Sequence, residues 1–109
     1  MEEFKKLFLE NAQKILSDFK RELPFLKSGE NQPSALKNIH RYAHSLKGLS
    51  GMMGLNEAYS ISEELEGMLK KIINCTSDLN DSSLLDIENG FSRIEKIIKN
   101  GNQEENSLS

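Results

Sequence analysis

Apolar residues recur along this chain at intervals of three and four, in four runs separated by glycine, proline and short polar stretches. In the first run Phe4, Phe8, Ala12, Ile15, Phe19 and Leu23 share one face of a helix, because about 3.6 residues per turn brings such spacings back to the same side. Pro24 predicts that this helix ends or bends its last turn there. After the turn-rich KSGENQP, Pro33 suits a first helical turn, and Leu36, Ile39, Ala43, Leu46, Ser50 and Met53 form the second seam, closed by Gly51 and Gly54. Asn56 is a candidate N-cap for a third helix, with Ala58, Ile61, Leu65, Met68 and Ile72 inward. NCTSDLNDSS breaks the pattern. Asn80 or Asp81 caps a fourth helix carrying Leu84, Ile87, Phe91, Ile94 and Ile98, with Gly101 marking its end.

No segment shows the period-2 alternation of a strand, and the connections between runs are short. The pattern therefore predicts an all-α fold, an antiparallel up-down-up-down four-helix bundle, over residues 1–101. Residues 102–109, NQEENSLS, hold a single apolar side chain and are expected to form a disordered polar tail or a linker to a further domain.

Composition narrows the function classes. A chain of 109 residues supports one domain burying about two-thirds of its unfolded surface. Fourteen Lys plus Arg against seventeen Asp plus Glu give a net charge of −3 with both signs interspersed, which argues against nucleic acid or an anionic membrane as partner. Cys75 is the single cysteine and cannot close an internal disulfide, and the Met-Glu-Glu-Phe start lacks the basic and apolar regions of a secretory signal. A reduced, cytoplasmic, monomeric domain is expected. No apolar run approaches the ~18–20 residues of a membrane span, so no direct membrane insertion is expected.

The candidate chemistry lies on the second helix. His40, His44, Lys47, Gly48 and Gly51 are spaced by three and four, one residue round from the buried seam, on a flank steadied by packing yet open to another molecule. Glycine within a helix costs about 1 kcal/mol relative to alanine, so Gly48 asks for a reason, and access of a partner to His44 is one. If helices two and three form a hairpin about Leu55, His44 and Glu66 stand at equal heights, each 11 residues from it. A carboxylate accepting from imidazole Nδ1–H fixes the tautomer that leaves Nε2 free as a nucleophile. Glu66 is the first candidate for that role and Glu63, one turn away, the second. The plainer alternatives are an i,i+4 ion pair of Glu66 with Lys70, core filling by Met52, Met53 and Met68, and an adaptor bundle that binds a partner helix. A metal site on His40 and His44 would need Glu66 or Glu63 to complete it, and none is assigned.

The stretch AHSLKGLSGMMG resembles the phosphoacceptor signature of histidine phosphotransfer (HPt) domains, in which a histidine is followed at +3 and +4 by lysine and glycine. FLENAQKIL and SEELEGML extend the resemblance, over roughly residues 4–100, most closely to the N-terminal phosphotransfer domain of the chemotaxis histidine kinase CheA. It implies a four-helix bundle in which His44 accepts the phosphoryl group, Lys47 stabilises its oxygens, Glu66 orients the histidine, and Gly48 and Gly51 leave room for a docking partner. The partners implied are a histidine kinase catalytic domain and the receiver domain of a response regulator in a two-component system. A free-standing or hybrid-kinase phosphotransfer domain is the alternative. So short a helical chain offers no Gly-rich phosphate-cradling loop, which makes it a phosphocarrier rather than an enzyme. No cofactor is expected in this domain, and ATP with Mg would serve as phosphoryl source in the kinase.

Overall fold

A computed structural model describes residues 2–108 of the chain, with the side chains of residues 3–100. Four helices follow one another: α1 (Glu2–Ser28), α2 (Gln32–Met52), α3 (Asn56–Ile73) and α4 (Asp81–Leu108), and no strand occurs among the described residues. α2 packs on α1 and α3, α3 on α4, and α4 closes back on α1. Cross-helix contacts run in opposite senses along each pair. Lys20 meets Glu95 while Lys27 meets Glu88, and Glu57 meets Arg93 while Leu65 lies at Gly90. The arrangement is the antiparallel up-down-up-down bundle, elongated to 47 × 22 × 19 Å.

One core threads the bundle. Phe8, Ala12, Leu16, Phe19 and Leu26 from α1 meet Ile39, Ala43 and Leu46 from α2, Ile61, Leu65 and Leu69 from α3, and Ile87, Phe91, Ile94 and Ile98 from α4. Phe19 and Phe91 stack with ring centroids 3.9 Å apart and planes 9° from parallel, a pair contributing about 0.5–1.5 kcal/mol beyond its buried area. The seams shift slightly from those expected. Leu69 rather than Met68 is fully buried on α3, Leu16 is buried where Ile15 was expected, and Phe4 is 47% exposed. A stripe wide enough to touch two neighbouring helices has two edges, and the spacing alone does not say which edge is deeper.

Helix boundaries follow from where backbone groups find partners. α1 passes through Pro24 to Ser28, with Leu26 fully buried in the last turn, whose carbonyls find donors: Gln32 Nε2 donates to Leu26 O at 2.9 Å and Gly29 N to Phe25 O at 3.2 Å. α2 begins after Asn31, with Pro33 in its first turn. It ends in a Schellman turn about Gly54, at φ +71°, where Leu55 N donates to Ser50 O at 2.9 Å and Gly54 N to Gly51 O at 3.3 Å. Gly51 is therefore inside the helix. Leu55 occupies the N-cap of α3, and Asn56 is already helical. At α4, Asn80 Oδ1 accepts from Ser83 N at 2.9 Å and Ser83 Oγ from Asn80 N at 2.8 Å, so Asn80 and not Asp81 is the cap. Gly101 does not end α4, which continues through the stretch expected as tail or linker to Leu108. A lone glycine weakens a helix without stopping it unless it turns left-handed. Ser109 and the side chains of 101–109 lie outside the described residues.

α4 approaches α3 closely at Gly90, where a Cβ would lie 2.7 Å from Leu65 Cδ2 and 2.9 Å from Leu65 Cδ1. Gly90→Ala gains about 1 kcal/mol of helix propensity but forces the buried Leu65 off its rotamer, at about 1–3 kcal/mol. The expected result is a lower melting temperature than wild type, and thermal melts of both proteins measure it.

Candidate functional site

α2 and α3 are joined by a tight turn, so their flanks lie side by side and residues equidistant from the turn face each other. His44 projects from α2 with its side chain 65% exposed, and Glu66 from α3 is only 18% exposed beside it. His44 Nδ1 lies 2.5 Å from Glu66 Oε2. A carboxylate can only accept, so Nδ1 carries the hydrogen and donates it, and Nε2 is left with its lone pair. The contact expected from the hairpin register is present.

Lys47 enters this arrangement in a way the sequence did not disclose. Its Nζ donates to Glu66 Oε1 at 2.8 Å, so one carboxylate binds two residues of α2 with one oxygen each. Counting from Leu55 sets Lys47 opposite Glu63; the lysine stem instead reaches one turn further along α3 to Glu66. Glu63 is exposed and makes no bond to His44. Both oxygens of Glu66 are committed to α2, and the ion pair with Lys70 does not form.

The electrostatics follow from that shared carboxylate. The Lys47 hydrogen bond, aided by the one from His44, holds the Glu66 carboxyl below the ordinary carboxylate value of 4.5, against the opposing effect of partial burial. The same bond to Glu66 raises Lys47 above 10.5.

The two flank glycines differ. A Cβ at Gly48 would meet nothing within 4 Å, whereas one at Gly51 would lie 3.3 Å from the Tyr59 ring. Gly48 thus leaves open space one turn from His44, while Gly51 gives its space to a side chain of α3. Gly48 also lines a hollow of about 570 Å³ between α1 and α2, with Tyr42, Ser45, Leu49 and Met52, the last 66% exposed. On the other side of α2, His40 does not join His44. It borders a second hollow against α3, and no group of three or more His, Cys, Asp or Glu is placed to hold a metal ion among the described residues. Nor, among those residues, is any helix long and apolar enough to cross a membrane.

A family model described as "Hpt domain" matches residues 3–102. The chain is 29% identical over 69 residues to the chemotaxis protein CheA of Rhizobium meliloti (strain 1021), a match that covers 63% of this chain and 9% of that protein. Among solved structures it is similar to the CheA phosphotransferase domain from Thermotoga maritima, with a TM-score of 0.83, 22% identity, and coverage of 90% of this chain and 93% of that one. At that identity the likeness is one of fold.

Two expectations follow from the geometry. Because Glu66 titrates lower in the folded chain than in the unfolded one, its contribution is complete above the unfolded value and is lost as pH falls through the lowered folded value. The difference in melting temperature between wild type and Glu66→Gln should therefore be largest near neutral pH and shrink in acid below 4.5. Gly48→Ala, with open space for its methyl, should raise stability by a few tenths to about 1 kcal/mol, measured by the same melts.

Proposed function

We propose that this chain, which belongs to the Hpt domain family, carries a phosphoryl group on Nε2 of His44 between a histidine kinase catalytic domain and an aspartate of a response regulator. The observation that carries the reading is the bond from His44 Nδ1 to Glu66, made while the imidazole remains open to solvent on its other edge. A histidine held by one nitrogen and presented by the other is arranged for group transfer.

In the forward step the Nε2 lone pair attacks the terminal phosphorus of the kinase-bound nucleotide. The N–P bond forms as the P–O bond to the nucleoside diphosphate breaks, and the electron pair leaves with that oxygen. The imidazole then bears positive charge while Nδ1 keeps its hydrogen, and the Glu66 carboxylate stabilises that charge directly. In the return step a carboxylate oxygen of the receiver attacks phosphorus, the N–P bond breaks, and its pair returns to Nε2. In-line approach needs space rather than further chemistry from this chain. The open position at Gly48 supports that approach.

Lys47 has two tasks in this scheme. At rest it clamps Glu66; once a dianionic phosphoryl group sits on His44, its flexible stem lets the ammonium turn toward the new oxygens. Gly51 serves access less directly, by leaving room for the ring of Tyr59, itself 38% exposed, to lie against α2. A place in a CheA-like chemotaxis kinase is supported by the relatives named above, of which the R. meliloti protein is matched over a small fraction of its length; an N-terminal position in such a kinase and a cytoplasmic location are part of the proposal. ATP and Mg would belong to the kinase domain.

The test is phosphorylation by a CheA-type kinase core with ATP, followed by assay for acid-labile, alkali-stable phosphate. His44→Gln should abolish labelling while the helical circular dichroism persists, and His40→Gln should retain most of it; equal loss in both would overturn the assignment. Glu66→Gln should slow labelling, and Gly48→Gln should impair transfer to a receiver more than it alters the melting temperature.

A further inference from the structure

Lys47 is bonded to Glu66, and a second carboxylate stands beside that bond. Glu63 lines the same hollow between α2 and α3, about 610 Å³, as Lys47 and Glu66, and the hairpin register sets it opposite Lys47. Its side chain is exposed and forms no ion pair among the described residues. Nor does its own helix offer it a cation: Tyr59 and Ser60 lie one turn before it, Glu66 and Gly67 one turn after. Two carboxylates one turn apart repel each other, which weakens the helix that carries them, and glutamine at 63 would remove the repulsion. The ammonium they have in common is Lys47. The bond to Glu66 is the main cause that holds Lys47 above 10.5, and the charge of Glu63 acts on it in the same direction. Lys37 and Lys70, the other cations lining the hollow, stand two turns from His44 and from Glu63 along their helices.

We infer that Glu63 is a positioning residue for the transfer reaction, acting through Lys47: it competes with the phosphoryl oxygens for that ammonium and so raises the group-transfer potential of phosphorylated His44. The inference rests on the phosphocarrier reading above and names what tunes that site. The charges set the direction. At rest, one ammonium faces two carboxylates around a neutral imidazole. When Nε2 attacks the nucleotide, the N–P bond forms as the P–O bond to the diphosphate breaks, leaving a cationic imidazole ring that carries a dianionic phosphoryl group. Glu66 compensates the ring through Nδ1–H, and Lys47 is the ammonium within reach of the new oxygens. Glu63 gains no positive partner in that step. Its charge therefore opposes the loaded state more than the resting one, by repelling the phosphoryl group and by drawing on the lysine that would screen it. That opposition favours the return step. The receiver's product is an acyl phosphate, itself an energy-rich linkage, and a donor destabilised only when loaded passes the group on more completely. Glu66 thus orients the histidine, while Glu63, one turn away, supplies driving force for unloading it.

The test is an equilibrium rather than a rate. The full chain is incubated with a catalytic amount of a CheA-type kinase core and fixed ratios of ATP to ADP at low salt, until the phosphorylated fraction is the same from both directions. The kinase speeds the approach to equilibrium without moving its position, so a lost kinase contact at residue 63 cannot imitate the effect. Glu63→Gln should raise the equilibrium constant for phosphorylation by about two- to fivefold, Glu63→Lys by more, and Glu63→Asp should stay near wild type. The gain should shrink at about 1 M salt, where the screening length falls to about 3 Å. A merely structural role would instead appear in the melting temperature and would not follow salt. With no kinase present, the Lys47 amine followed by NMR should titrate at lower pH in Glu63→Gln than in wild type. An unchanged Lys47 titration, an equilibrium constant unchanged or lowered in Glu63→Gln, or one raised equally in Glu63→Asp would overturn the inference and leave the phosphocarrier reading standing. A wild-type chain that takes no label overturns that reading and this inference with it, so the two failures are read from different proteins.

Discussion

The carboxylate of Glu66 accepts one hydrogen bond from His44 and another from Lys47, and both donors belong to the helix facing its own. That geometry does three things at once. It sets which imidazole nitrogen donates, restrains a lysine one turn from the histidine, and ties α2 to α3. A surface ion pair contributes little to stability by itself, so the importance of this one lies in positioning. The carboxylate is largely covered, the lysine nearly as much, and the imidazole mostly free, with exposures of 18%, 24% and 65%. Burial on one side and access on the other is what a histidine needs to be both oriented and reactive.

The bond exists because α2 and α3 lie close together. Their seams carry small residues at several inward positions: Ala43 and Ser50 on α2 and Ala58 and Ser62 on α3 are all 0% exposed. Small side chains let helix backbones approach, and the Schellman turn about Gly54 holds the hairpin in one register. Ser62 satisfies its hydroxyl by donating to Ala58 O at 2.8 Å, whereas the Ser50 hydroxyl finds no partner. Close approach is thus maintained at some cost in polar satisfaction, which apolar residues of larger volume would have avoided by spreading the helices. α4 repeats the device against α3, with Gly90 under Leu65.

α2 consequently presents different surfaces on its two sides. Toward α1 it borders a hollow with Tyr42, Leu49 and Met52 and the open position at Gly48; toward α3 it borders one with lysines, glutamates and a histidine. The histidine stripe divides them. Toward α1 the aromatic and aliphatic groups are joined by Lys14, Asp18 and Arg41, so both sides of the exposed imidazole carry charge, while the bundle beneath is packed with aromatic and aliphatic side chains.

Much of this was legible in the chain. Periods of three and four placed the helices, since burial of one face is the main constraint on an amphipathic segment, and glycine and proline marked the α2–α3 turn and the start of α2. The pairing of His44 with Glu66 could also be read, because a short hairpin equates distance from the turn with height. Other features could not. Counting set Glu63 opposite Lys47, whereas the lysine bends to Glu66, since a four-carbon stem spans more than a helical turn and the more buried carboxylate is the better acceptor. Pro24 read as an end or a bend and Gly101 as an end, but α1 runs on to Ser28, where Gln32 from outside the helix takes up the Leu26 carbonyl, and α4 runs on to Leu108. The glycines at 48, 51, 67 and 90 look alike as letters; two face open space, one a tyrosine ring and one a leucine. The sequence by itself determined the helices and the flank that carries the histidine, because those follow from local periodicity. Only the tertiary structure decided which neighbour each flank residue meets, because that depends on how closely and at what angle whole helices pack.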